Sequence, residues 1–172
     1  MMLSHRGFLL FLFSALLSLA PSCSSSKSRI IAMAIGQRVK VGKLSYQVTE
    51  ALWLTEVPGG KQPAKNRILQ LRLMVTNSGS EEASIPFLRL IDSKGNETVE
   101  VREIEGNSSW LGSLRRLQPA ITEEGNVYFD VTVGGYKLEV VDNSVADDEK
   151  VAHIEIPASL APPPTSPGPA GN

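Results

Sequence analysis

A chain of 172 residues with 42% hydrophobic and 20% charged residues has room for one domain with extensions. Its formal net charge of −1 provides no basic field to gather nucleic acid. Cys23 is the single cysteine, so an intramolecular disulfide is excluded and the folded body must rest on an apolar core.

The chain opens as an address. Met1 to Arg6 is short and positive, and Gly7 to Ala20 is an apolar run carrying Phe8, Leu9, Leu10, Phe11, Leu12 and Phe13. That run falls short of the about 20 apolar residues a spanning helix needs. A charged start, a short apolar middle and small residues at its end predict a secretory signal peptide over residues 1–22. The sequence Leu19-Ala20-Pro21-Ser22-Cys23 resembles a lipobox, in which a small residue precedes a cysteine that is acylated and becomes the new N-terminus. Ala20 stands where a large aliphatic residue is usual, and Ala20 with Ser22 also suits an ordinary signal peptidase. Lipidation of Cys23 is favoured by context, because the cysteine ends the apolar run and Ser24, Ser25, Ser26, Lys27 and Ser28 follow as a polar tether. Residues 23–35 are therefore read as anchor and tether, and the chain as extracytoplasmic, attached to the cell membrane or the outer membrane.

From Gly36 the hydrophobic period becomes two. Val39 and Val41 flank Lys40; Leu44, Tyr46 and Val48 alternate with Ser45, Gln47 and Thr49. Leu69, Leu71, Leu73 and Val75 share one face, as do Val127, Phe129, Val131 and Val133. Val99 and Val101 flank Glu100, Leu138 and Val140 flank Glu139, and Ile154 and Ile156 flank Glu155. Successive side chains of a strand point to opposite faces, so each run is expected to bury one face and wet the other, as in antiparallel sheets. Breaker clusters at Pro58-Gly59-Gly60, Asn77-Ser78-Gly79 and Ser93-Lys94-Gly95-Asn96 separate the runs, and Gly134-Gly135 reads as a tight hairpin turn. The pattern predicts an all-β antiparallel sandwich of seven or eight strands over residues 36–157. Trp110, Leu114 and Leu117 fall at helical spacing and suggest one helical turn, or else a loop closing one end, before Pro119. Residues 158–172, with Pro162-Pro163-Pro164 and Pro167-Gly168-Pro169, cannot build a core and are expected to form a disordered tail.

Four of these segments resemble, in order, the telokin-like, immunoglobulin-like domains of bacterial lipoproteins, a family of unknown function. They are Gly36 to Val48; Leu69 to Gly79, a strand ending in asparagine and a turn; Leu90 to Asn96, an aspartate-led hairpin; and Leu117-Gln118-Pro119 with Gly125 to Val131, a proline-led loop before an apolar strand ending in aspartate. The family usually has glycine after that proline, where this chain has Ala120. The resemblance implies an extracytoplasmic immunoglobulin-like sandwich and supplies no catalytic residues.

Chemistry-bearing side chains are few. A nucleophile needs a base within hydrogen-bond reach, and beyond the signal segment the histidine on offer is His153, on a strand and beside no serine motif. Glu81-Glu82 and Glu123-Glu124 read as solvated turn charges. Asp142, Asn143, Asp147, Asp148 and Glu149 are rich in calcium-type oxygens without the spacing of an EF-hand loop. The sequence thus predicts no enzyme, no catalytic set, no metal and no cofactor. Trp53 and Trp110 suit a sandwich core, while Trp110 with Arg115 and Arg116 is the candidate interaction surface, since Trp and Arg are frequent interface anchors. The expected partners are the lipid bilayer, through acylated Cys23, and an envelope protein or glycan. The expected role is a non-catalytic interaction module; the alternatives are a structural or antigenic surface protein without a specific ligand, or an accessory subunit of an envelope enzyme.

Overall fold

The computed structural model describes residues 32–112, 115–142 and 150–160. Cys23, the signal segment, residues 143–149 of the acidic stretch and the proline-rich residues 161–172 lie outside the described residues, and so do the readings that fall on them.

The described chain is all strand: β1 Ala32–Ala34, β2 Arg38–Val41, β3 Leu44–Leu54, β4 Arg67–Asn77, β5 Ala83–Ser84, β6 Arg89–Ile91, β7 Glu97–Val99, β8 Arg116–Leu117, β9 Thr122–Val131, β10 Tyr136–Asp142 and β11 Lys150–Ile156. One sheet has the order β1-β11-β10-β6-β7, a second β2-β3-β4-β9, and β5 pairs with β8. The alternation read from the sequence forms the interface between the two large sheets. Leu69, Leu71, Leu73, Val75, Val127 and Phe129 of the four-stranded sheet share one buried cluster with Leu90, Leu138, Val140 and Ile154 of the five-stranded sheet. Each such side chain contributes about 1.5–3 kcal/mol when fully removed from water. The Tyr46 hydroxyl crosses between the sheets and donates to the Val141 carbonyl at 2.9 Å. Burial, then the nearby Asp142 charge, pushes that phenol well above its usual range.

Asn77 explains why β4 ends as it does. Its side chain is fully buried. Its amide donates to the carbonyls of Glu81 at 2.7 Å and Leu117 at 2.9 Å, and its oxygen accepts the Gly79 N–H at 2.9 Å. Its backbone N–H donates to Ile121 and its carbonyl accepts from Ala120. All its polar groups are thus paired, as burial demands. Ala120, next in this lock, has φ 63, the left-handed region that favours glycine. The Asp92 carboxylate likewise closes the β6–β7 turn by accepting the N–H groups of Lys94 and Asn96, each at 2.8 Å.

Several expectations are corrected. Eleven strands occur among the described residues, five of them only two or three residues long, in place of seven or eight. Ala32–Ala34, read as tether, is β1, and it pairs parallel with β11. Gly134-Gly135 does not close a hairpin. β9 and β10 lie in different sheets, so the pair sits in an arch between layers, and neither glycine has a positive φ. Trp110 to Leu117 contains no helical turn among its described residues: Trp110 bridges Asn126 and Arg116–Leu117 pairs with β5. Glu123-Glu124 lies within β9 rather than in a turn. Around Glu100 the expected polarity is inverted, with Glu100 buried and Val99 exposed.

Candidate functional site

The four-stranded sheet was expected to wet its outer face, yet Ile68 and Tyr128 on that face are buried. The chain between Val101 and Leu111 covers them. This segment leaves and rejoins the edge strand β9 almost at the same point, as the Val101 N–H donates to the Tyr128 carbonyl at 2.7 Å and the Leu111 N–H to that of Asn126 at 3.0 Å. A compact excursion with adjacent ends is an Ω-loop. Beneath it Val57, Ile68, Ile104 and Tyr128 form a second, smaller apolar cluster, with Leu54, Val101 and Trp110 packed against it.

Polar groups hold the loop down. Asn107 donates to the Pro58 carbonyl at 3.0 Å and to the Tyr128 hydroxyl at 2.9 Å, and accepts the Ser109 N–H at 3.0 Å. At the tip the Glu105 N–H donates to the Gly59 carbonyl at 2.9 Å. Gly59 has φ +78, and a β-carbon there would lie 2.1 Å from the Glu105 carbonyl oxygen, so this approach requires glycine.

The loop is pinned at its base by a buried ion pair. Arg115 Nη1 donates to Glu100 Oε1 at 2.8 Å and Nη2 to Oε2 at 2.5 Å, with both side chains shut off from solvent. Arg115 Nε also donates to the Gly112 carbonyl, and Glu100 Oε1 accepts the Leu88 N–H at 2.6 Å. The Phe87 ring lies between two guanidinium groups, Arg102 at 4.6 Å and Arg115 at 5.4 Å from its centroid. A fork-to-fork pair with its remaining lone pairs filled is the geometry that offsets the desolvation of two charges.

The three residues of the sequence-read interaction surface therefore separate. Arg115 is corrected to an interior structural residue, because its charge is consumed by Glu100. Trp110 is half-buried on the second cluster, its Nε1 sealed from solvent without a hydrogen-bond partner. Arg116 is exposed beside Glu82 at 3.7 Å. Trp53 packs against the main core. His153 stands 3.6 Å from Glu139 on the neighbouring strand, with no hydroxyl or thiol partner printed by the geometry around its Nε2. Glu81 pairs with Lys43 and Glu124 with Arg72. Among the described residues no three His, Cys, Asp or Glu side chains converge as a metal site.

Beside the Ω-loop opens a groove of about 370 Å³. Val57, Ile68 and Val101 form its floor, the β3–β4 loop from Gly60 to Lys65 one wall, and Arg102 and Glu103 the other. Asp130, at the end of β9, fixes the first wall: its carboxylate accepts the N–H groups of Lys65 at 2.7 Å and Asn66 at 2.8 Å. Partial burial opposes the charged form of Asp130, but these hydrogen bonds outweigh it and hold the carboxyl below its usual range. The strand-ending aspartate noticed in the sequence is thus a loop clamp. Sequence reading missed Glu100, Asn107, Lys65 and Arg102 as a group, since their association depends on two loops that are distant in the chain.

Residues 33–151 match the family described as a domain of unknown function (DUF4352), and the chain belongs to that family. No curated protein matches it. Among solved structures it is similar to ycdA, a candidate lipoprotein of Bacillus subtilis, with TM-score 0.59 and 16% identity over 70% of this chain and 38% of that one, so it spans under half of that protein. It is also similar to the secreted protein MPT63 of Mycobacterium tuberculosis, with TM-score 0.55 and 15% identity over 74% of this chain and 98% of that one. A β-sandwich protein of Clostridium difficile gives TM-score 0.50 and 11% identity over 76% of this chain and 96% of that one. At these identities the likeness concerns the fold.

Proposed function

We propose that this member of the DUF4352 family is a non-catalytic interaction module of the cell envelope, an immunoglobulin-like sandwich held at a membrane surface through acylated Cys23. The observation that carries the reading is the placement of the Ω-loop and its groove at the end of the sandwich opposite to the entry of the chain. β1 runs parallel to β11, toward the end where Tyr136 pairs with Ile156. The chain therefore enters β1 from the end bearing the Gly42-Lys43 turn, which the Asp142 carboxylate ties down by accepting the Lys43 N–H. The groove, built on the β3–β4 loop and Asp130, lies at the far end. Residues 23–31 reach at most about 30 Å when extended, so an anchor at Cys23 keeps the domain near the bilayer and turns the groove outward. Loops carried by a rigid sandwich are where recognition concentrates. The fold shared with a candidate lipoprotein and with a secreted protein supports the extracytoplasmic setting.

Fractionation of the native host tests this. The chain is expected in the membrane fraction with acyl mass on an N-terminal Cys23, and Cys23→Ser is expected to release it. Recovery of the unmodified chain in the soluble fraction would overturn the anchor.

A further inference from the structure

We infer that the groove beside the Ω-loop binds a small amphipathic ligand with an apolar body and one carboxylate. This goes beyond the module reading and needs no anchor, since binding in solution is independent of Cys23.

The volume, about 370 Å³, lies in the range of small-molecule sites, which pair an apolar surface with a few placed polar groups. The floor is set before a ligand arrives: Val57 and Ile68 are buried in the second cluster and Val101 packs against it. An apolar body laid on these side chains removes surface that water otherwise covers.

The charges on the walls select the head group. Lys61 is spent on Glu105 at 2.8 Å. Asp130 directs both oxygens at the backbone of its own wall. Lys65 on one wall and Arg102 on the other are exposed, and among the described residues neither has a carboxylate within ion-pair distance. The Arg102 guanidinium lies over the Phe87 ring at 4.6 Å. Stacking fixes the plane of a guanidinium and leaves its N–H edge free for a carboxylate fork. Glu103 on the same rim offsets one of the two cations. The remaining positive charge matches a single carboxylate and disfavours a ligand dense in phosphates, whose second and third charges would meet Glu103 unpaired.

Octanoate is the probe, titrated in the absence of detergent into the secreted chain carrying Cys23→Ser, with octanol and octylamine as matched controls. Saturable binding of octanoate is expected, with movement of the methyl resonances of Val57, Ile68 and Val101 and weaker binding of both controls. The pair Lys65→Gln and Arg102→Gln, both at exposed positions, is expected to weaken octanoate roughly five- to tenfold and to leave octanol unchanged. An unaltered thermal midpoint of that variant shows that the fold is intact. The inference is overturned if octanoate does not saturate, if octylamine binds as well, if the methyl shifts lie elsewhere, or if the double variant binds like the parent. None of these results bears on the fractionation of the acylated chain.

Discussion

The molecule has two apolar clusters built on different terms. The main one lies between two sheets and takes its members from alternate positions of long strands, among them Leu69, Leu71, Leu73 and Val75. The second lies outside the four-stranded sheet, has four buried members, and is roofed by an irregular loop held by Asn107, Gly59 and the Arg115–Glu100 pair. The first is repetitive and held by burial alone. The second combines a little burial with specific polar ties, and the groove opens beside it. Binding faces of this kind arise where the chain leaves its periodic pattern, because periodic strands fill their own faces and leave no concave surface.

The contrast is broken most severely at Arg115. Arg115→Ala leaves the Glu100 carboxylate buried without a counter-charge, and a loss of about 3–5 kcal/mol is expected in urea unfolding. Replacing both partners, Arg115→Met with Glu100→Leu, should recover most of that loss. If the double variant is as unstable as the single one, the Ω-loop depends on the charges themselves. In the main core, Leu71→Ala removes a fully buried side chain from both sheets' contact and should cost about 2–5 kcal/mol. Ile104→Ala is the matching deletion under the loop. It should fall at the lower end, about 2 kcal/mol, because a loop collapses onto a cavity more readily than a sheet does. Equal losses at Leu71 and Ile104 would erase the distinction between the two regions.

Smaller effects sharpen it. Ala120→Gly relieves a left-handed backbone next to the Asn77 lock and should raise stability by about 0.5–1 kcal/mol, net of the entropy glycine adds to the unfolded chain. A decrease would mean that the Ala120 side chain contributes packing that outweighs the strain. Acid acts on the loop clamps. Asp92, through the Asn96 hydrogen bond, and Asp130 are held below their usual value of 3.8. Such groups bind protons more readily unfolded than folded, so their stabilisation is present above that value and is lost as pH falls through the lowered folded values. Asp130→Asn should flatten the acid limb of a stability-against-pH curve, and an unchanged limb would remove Asp130 from the account.

The sequence by itself determined the strands and the inward face of the sandwich. Alternation with period two is a local property, and Leu71 or Ile154 is committed to the core by its immediate neighbours. It also determined Asn77 and Asp92 as strand ends, because their turn chemistry spans only a few residues. Tertiary structure alone decided which strands share a sheet, as the Gly134-Gly135 arch shows: a glycine pair joins two strands equally well within a layer or between layers. It alone decided that Glu100 points inward, since its partner Arg115 arrives from another segment. It alone decided that Tyr128 and Ile68 are covered and that Lys65 and Arg102 face one groove. Those outcomes depend on charge pairing and loop closure between distant segments, and no periodicity in the chain encodes which distant groups will meet.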